Sequence, residues 1–543
     1  MKIKKLTIFI LVLAIFQACT NDSSNDSIKL ISNKFDDLIA FFVEWREFQK
    51  PEYTNNVPDY SEEAMALQKA KIPRYQKTLY LIDTTGWSIE QRSDYECINA
   101  EINGLIFDHD VLRPWARNPI FYTVVQMAEA DVPAREGPEL YGVLNVFEYD
   151  FPLDKDAQDI FRKKLSAIPE ILSQAKQNLT EEAGDLFLFG VRQKKNESKN
   201  LAFLANKFQN KPELSEIALK AKAAVDDFIP WLEKKHVGMK AFSGIGREAY
   251  SRYMKDVHLV PYSWEEQVEL VKRELERSLA ALALEEHQNR NLPQLKPATS
   301  LEEMQARMKK TVKEFMDFLR DEEIFTVPDY MHLDDDVNSY SPPEQRDFFS
   351  HVNYHNCMPL ECHMIHWLEK QREKFNTHPI RSYAPLYNIW DSRSEGLATG
   401  FEELMMQAGI VKDNPRAREL VHIMLAFRAI RALGELYLHS GDMTLQQAID
   451  FAVEQTPRGW IAPTSNTIFG DYAIYLAQPG YGTSYVIGKL QLDRLIADRV
   501  VQQGDKFILK NFFDDYFTRG VIPASLLRWE MTGHEDELIK LRK

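Results

Sequence analysis

The side chains best suited to chemistry are concentrated between His351 and His366. The sixteen-residue stretch His351-Val-Asn-Tyr-His355-Asn356-Cys357-Met-Pro359-Leu360-Glu361-Cys362-His363-Met-Ile-His366 holds four of the 13 histidines in the chain, and two of its four cysteines. Imidazole, thiolate and carboxylate are the groups that bind zinc and other borderline metals. A core segment has no use for such a set, because buried imidazoles and carboxylates cost free energy unless partnered. The stretch therefore reads as a metal site or its relic, with a polar helix face carrying incidental histidines as the alternative. A second set follows downstream: Arg428, Arg431, Glu435 and His439, at spacings of 3, 4 and 4, lie on one helical stripe. That stripe fits either surface salt bridges or one wall of a polar cleft. Two further motifs invite chemistry and carry less. Asp334-Asp335-Asp336 could bind calcium but fits a solvated turn better. Gly244-Ile-Gly246 lacks the rest of a nucleotide-binding fingerprint and reads as a turn.

These residues need elements to hold them, and the chain supplies helices. Ser88/Gln91, Ser263/Glu266, Ser300/Glu303 and Thr444/Gln447 are capping boxes that open helices. Trp264, Val268, Val271, Leu275, Leu279 and Leu282 form a stripe at helical spacing. Residues 29–50, 60–73 and 156–236 show the same periodicity, and Pro415 suits the first turn of a helix over 415–438. Residues 326–343 break the pattern, with short strands as an option there. The expected class is all-α, with at most a few short strands, and the Pro-containing segment 287–298 is the best internal boundary.

Composition narrows the function. With 66 Lys and Arg against 81 Asp and Glu, the formal charge is −15, which argues against nucleic acid as a partner. The N-terminus reads as a targeting segment. Lys2, Lys4 and Lys5 precede an apolar run from Leu6 to Phe16, too short to span a bilayer as a mature helix. It ends Gln17-Ala18-Cys19 and resembles a bacterial lipoprotein signal. The expected organisation is a signal peptide over 1–18, lipid on Cys19, a polar tether over 19–28 and a helical domain over 29–543. A secretory signal with a chance cysteine is the alternative. The implied location is the cell envelope, lipid-anchored, at the outer membrane. Cys97, Cys357 and Cys362 remain, an odd number that does not form a disulfide framework. Cys357 and Cys362 read as packing residues, with metal ligation or a local disulfide as alternatives.

Several separated motifs then match one pattern. Glu395-Gly396-Leu397-Ala398, Arg428-Ala429-Ile430-Arg431 with His439 beyond, and Pro479-Gly480-Tyr481-Gly-Thr-Ser484-Tyr485-Val-Ile-Gly488 stand in the order and spacing of the bacterial domain-of-unknown-function family numbered 885. The resemblance covers roughly residues 75–530. It implies a helical zincin-like shell around a deep cleft, similar to the angiotensin-converting and thimet-oligopeptidase folds, and a zinc-dependent peptidase. The family's His-Glu-x-x-Pro-Gly-His motif stands here as His355-Asn356-Cys357-Met358-Pro359-Leu360-Glu361. Through the resemblance His355, Glu361 and Glu395 become the expected metal ligands, with Cys362 and His363 as alternates and His366 as a spare. Tyr485, His439 and Arg431 become the expected catalytic groups. Asn356 occupies the place of the family's general base and cannot take a proton from water. On a straight helix six residues turn about 600°, so His355 and Glu361 would point roughly 120° apart, with Cys362 nearly under His355.

Two functions follow as expectations. One is a lipid-anchored, zinc-dependent hydrolase acting on peptides or another small extracytoplasmic substrate, its base supplied from elsewhere, for example by a spare carboxylate or His363. The other is a catalytically inactive cell-surface binding protein for peptides or oligosaccharides.

Overall fold

Three capping boxes close as the sequence predicts. Ser88, Ser263 and Thr444 each accept the amide three residues on, and Gln91, Glu266 and Gln447 accept the cap amide in return. They open the helices Ile89–Phe107, Trp264–Gln288 and Leu445–Gln455. Ser300 also accepts from Glu303 N, but the Glu303 carboxylate reaches further back, to the amide and hydroxyl of Thr299.

The computed structural model describes residues 32–133 and 140–543. The signal peptide, Cys19 and the tether lie outside the described residues. Over those described, the expected all-α class holds. Strand structure is confined to two short pairs, Tyr53–Thr54 antiparallel to Val57–Pro58 and Val125–Gln126 parallel to Leu144–Asn145. The option of strands over 326–343 is not taken up. That stretch is irregular apart from a 3-10 turn at Pro343–Gln345, as suits a segment whose prolines cannot donate to a ladder. Lys155–Asn178, Gly184–Lys207 and Pro212–His236 pack as amphipathic helices around Phe161, Leu201 and Phe228. No helix of the described chain is long and apolar enough to cross a membrane.

Three helices matter most to the site: Asp391–Ala408, Pro415–Ser440 and Tyr481–Gln503. Pro415–Ser440 is buried on almost every face. Its Arg/Glu/His stripe is therefore interior, and the surface salt-bridge option falls away. A charge so placed must be paired: Arg428 pairs with Glu402, and Arg431 with Asp471. The other two helices touch backbone to backbone at their motif glycines. A Cβ on Gly396 would lie 2.3 Å from the Gly488 carbonyl carbon, and one on Gly488 only 1.9 Å from the Ser392 oxygen. This contact sets Glu395 against the tyrosines at the start of Tyr481–Gln503. One hydrophobic cluster runs from Trp264 and Val271 to Val312 and Phe315, on either side of 287–298, and Arg416 donates to the carbonyls of Asn289 and Leu292 within that segment.

Candidate metal centre

The His351–His366 stretch is not one helix. Phe348–His355 stops at Asn356, whose backbone is extended (φ −162°, ψ 124°) and whose side-chain oxygen accepts from Met358 N at 3.0 Å. Asn side chains compete for local backbone groups in this way. Pro359 then opens the short helix Met358–Glu361, a 3-10 turn spans Cys362–Met364, and the helix Ile365–Glu373 follows.

The break separates the histidines into two pairs. His351 and His355 stack on Trp460, with ring centroids 5.2 and 5.1 Å away, and His355 Nδ1 contacts the His351 carbonyl at 2.7 Å. His363 and His366 turn inward and are buried. The expected trio His355, Glu361 and Glu395 is not gathered. Among the described residues, the groups of three or more ligand-type side chains with donor atoms all within 4.8 Å of one another are Asp131–His363–His366 and Asp334–Asp335–Asp336. Glu361 is buried apart, its carboxyl pushed up to about 7 by burial. Cys357 and Cys362 are buried free thiols, so the local disulfide and the thiolate ligand both give way to packing. Asn356 ends a helix, which explains its chemistry better than a place in catalysis.

Glu395 joins the inner pair. Its Oε2 lies 3.4 Å from His366 Nε2 and 3.6 Å from His363 Nε2, and its Oε1 accepts from Tyr481 Oη at 2.5 Å. His363 Nδ1 lies 2.8 Å from Glu402 Oε1 and 3.1 Å from Arg428 Nη2. One ring nitrogen cannot donate and accept at once. Where Nδ1 donates to the Glu402 carboxylate, as the shorter contact favours, the Nε2 lone pair faces Glu395. Such a carboxylate behind an imidazole is the arrangement that orients metal-binding histidines. Glu402 is itself held by both Arg428 amino groups, at 2.5 and 2.9 Å.

The charges are arranged to match. Burial alone would raise Glu395, but His366, His363 and Tyr481 together hold it down to about 2. Burial pulls His363 down to about 3, helped by Arg428 and His366. His366 is raised: burial opposes its charge, and the neighbouring Glu395 carboxylate more than offsets that.

The tyrosine motif and the helix Pro415–Ser440 pack against the cluster. Gly480, at φ 94°, makes the left-handed turn into Tyr481–Gln503, and Glu435 accepts from the amides of Gly480 and Thr483 and from the Tyr250 hydroxyl. The Tyr485 ring lies 6.4 Å from the His363 ring, with Arg431 and Arg428 at 5.0 and 5.7 Å from its centroid. His439 does not fit its expected oxyanion role: its Nε2 is 3.0 Å from the Tyr475 carbonyl oxygen, to which it donates. A cavity of about 260 Å³ opens beside the cluster, with Asp131, His366 and Pro385 in its wall.

Sequence reasoning placed His363 among the alternates and His366 among the spares. It missed Asp131, an isolated loop residue, and Glu402. Glu402 had a signal, since it stands seven residues after Glu395 and so recurs on the same helix face.

For the donor set to fit a metal, its spacing must suit one ion. Ligand atoms about 2.1 Å from a tetrahedral zinc lie roughly 3.4 Å from each other. The contacts of Glu395 Oε2 with the two Nε2 atoms have that length, and both are long for hydrogen bonds, which run about 2.7–3.2 Å.

The fold belongs to a set of bacterial proteins whose function is open. The chain matches the family described as "Bacterial protein of unknown function (DUF885)" over residues 47–341 and 351–531, and belongs to that family. It is similar to the solved structure of a "putative lipoprotein of unknown function" from Shewanella oneidensis, with 15% identity, a TM-score of 0.64, and 91% of this chain and 97% of that one covered. A "putative lipoprotein" from Colwellia psychrerythraea is similar at 15% identity and a TM-score of 0.63, with 92% and 98% covered. These likenesses carry the fold. No curated protein matches the chain.

Proposed function

We propose that the protein is a lipid-anchored hydrolase of the cell envelope whose metal, zinc by its ligand types, is held by His363, His366 and Glu395, with Asp131 beside them. The observation that carries this reading is the pair of 3.4 and 3.6 Å separations between Glu395 Oε2 and the two Nε2 atoms. They are too long for good hydrogen bonds and are the separations that Glu395 would keep from either imidazole on one ion, while the same two imidazoles gather with Asp131, one donor atom each, to within 4.8 Å of one another. A divalent metal there supplies Lewis acidity and an acidified water. The chain supplies the rest. Glu402 fixes the His363 ring, and Tyr481 fixes Glu395. Asp131, which lines the cavity, is the carboxylate placed to take a proton, the role that Asn356 cannot fill. Tyr485, whose ring centroid lies 5.0 and 5.7 Å from the Arg431 and Arg428 guanidinium groups, is assigned the stabilisation of negative charge growing on a substrate oxygen. Peptides are the substrate class the family resemblance suggests. The lipid anchor rests on Ala18-Cys19 and is in keeping with the descriptions of the two structural neighbours.

A second reading keeps the cleft without the chemistry, as a surface protein binding peptides or oligosaccharides. It is favoured by one observation: Asn356 occupies the base position of the motif and serves as a helix stop. Elemental analysis of protein purified without added metal, followed by assay on a mixed peptide pool with and without chelator, separates the two. Hydrolysis abolished by chelator and restored by zinc supports the hydrolase. Metal-loaded protein that binds peptides and leaves them intact supports the binding protein.

A further inference from the structure

A second cavity, of about 430 Å³, lies on the other side of the segment 383–388; its wall shares only Pro385 with that of the metal-side cavity. It is lined by Asp108 together with Tyr60, Trp115, Tyr141, Tyr253 and Tyr387. Among the described residues the Asp108 carboxylate has no hydrogen bond or ion pair. Burial pushes this carboxyl up to about 8, with no compensating partner. Two cations of the region are engaged elsewhere: Arg46 with Glu101 at 2.5 Å, and Lys164 with the Val143 carbonyl at 2.6 Å. His109, the next residue, is held by Gln68 at 2.9 Å. The phenols of Tyr253 and Tyr387 are raised first by burial and then by the Asp108 charge, so both lie close to it.

The backbone around this carboxylate is unusual on both walls. The helix Ile89–Phe107 passes into a π-helical turn at Asp108–Leu112, which ends on left-handed Arg113 (φ 38°). Opposite it, Tyr387 and Asn388 both stand at φ 55°. Non-glycine residues in that region cost energy, and π turns and such residues concentrate at functional sites. The Tyr387 ring is seated on Gly104, where a Cβ would fall 2.3 Å from its Cγ. Gly104 is one helical turn before Asp108, so the seat puts the ring beside the carboxylate.

An unpaired carboxylate enclosed by aromatic faces is the chemistry that recognises an ammonium group. The carboxylate takes the N–H donors, and the ring faces attract the cation. We infer that this cavity is a binding site for a small molecule carrying a protonated amine, with Asp108 as its counter-ion and Trp115, Tyr253 and Tyr387 as its walls. The inference does not rest on the metal centre.

The test uses the full mature chain and two probes of matched shape, 2-phenylethylamine and 2-phenylethanol, titrated by calorimetry into the wild type and into Asp108→Asn at about pH 9, above the raised value of the Asp108 carboxyl and below that of an alkylamine. A hydrogen bond to a charged group supports a preference of about tenfold or more for the amine. Saturable binding with that preference in the wild type, and its loss in Asp108→Asn, is the expected result. Asp108→Ser provides a second removal of the charge should the first variant not fold. Equal affinity for amine and alcohol, no saturable binding of the amine, or an undiminished preference in either folded variant would overturn the inference.

Discussion

At the scale of single residues, the account turns on which histidines face inward. His366→Gln or His363→Gln should abolish stoichiometric metal binding, whereas His355→Gln and Glu361→Gln should retain it; elemental analysis of the four purified variants reads this directly. Glu402→Gln should weaken metal affinity by about 10–100-fold while leaving a site, since partners behind a ligand orient it and do not bind the ion. The pH dependence has a worked sign. His366 is raised above its ordinary value by the Glu395 carboxylate. In metal-free protein their pairing stabilises the fold below the unfolded histidine value, and that stability is lost as pH rises through the folded one. Metal needs the neutral ring, so metal-loaded protein gains stability over the same rise. The gap in melting temperature between the metal-loaded and metal-free forms should therefore widen from about pH 6 to 8. Asp108 gives a separate case. Its carboxyl is pushed up to about 8, so the folded protein holds a proton that the unfolded chain releases near pH 4. Stability should fall across that window, and Asp108→Asn should flatten the fall.

At the scale of elements, helix starts were legible because a capping box is a local contact between residues three apart. Ser88/Gln91 needs nothing from the rest of the fold. The Ser300 cap was half legible, because Thr299 offered Glu303 a better partner. The course of 351–366 was not legible. A straight-helix angle between His355 and Glu361 presumes continuity, and Asn356 and Pro359 break it. Nothing in the spacing says that the chain turns His363 and His366 inward. Asp131 sits in a loop with no motif around it, so only the fold brings it to the histidines. The glycine contact, by contrast, gives the Glu395-Gly396 and Tyr485–Gly488 motifs a physical meaning. Gly488→Ala would drive a methyl group into the Ser392 carbonyl. It should destabilise the protein by about 1–3 kcal/mol through overpacking and, by parting the helices, loosen metal as well. Denaturation with and without zinc checks both. If Gly488→Ala matched wild-type stability, the crossing would not be as close as described.

At the scale of the whole molecule, the all-α class was readable from periodicity over most of the chain. The surroundings of Pro415–Ser440 were not, because a helix buried on every side shows no contrast between faces. Its charged stripe fitted a surface or the wall of a cleft equally well by spacing, and it is interior. The N-terminal segment makes a claim at this scale too. Cys19→Ser should release the protein from membranes into the soluble envelope fraction, read by fractionation; retention on the membrane would remove the case for a lipid anchor.

The central claim is that one metal is shared by His363, His366 and Glu395. Crystals of zinc-loaded wild type, measured on both sides of the zinc absorption edge, test it most directly. The account predicts one anomalous peak about 2 Å from His363 Nε2, His366 Nε2 and a Glu395 carboxylate oxygen. A peak at His351 and His355 beside Trp460, or no peak near Glu395 in zinc-loaded crystals, would contradict it.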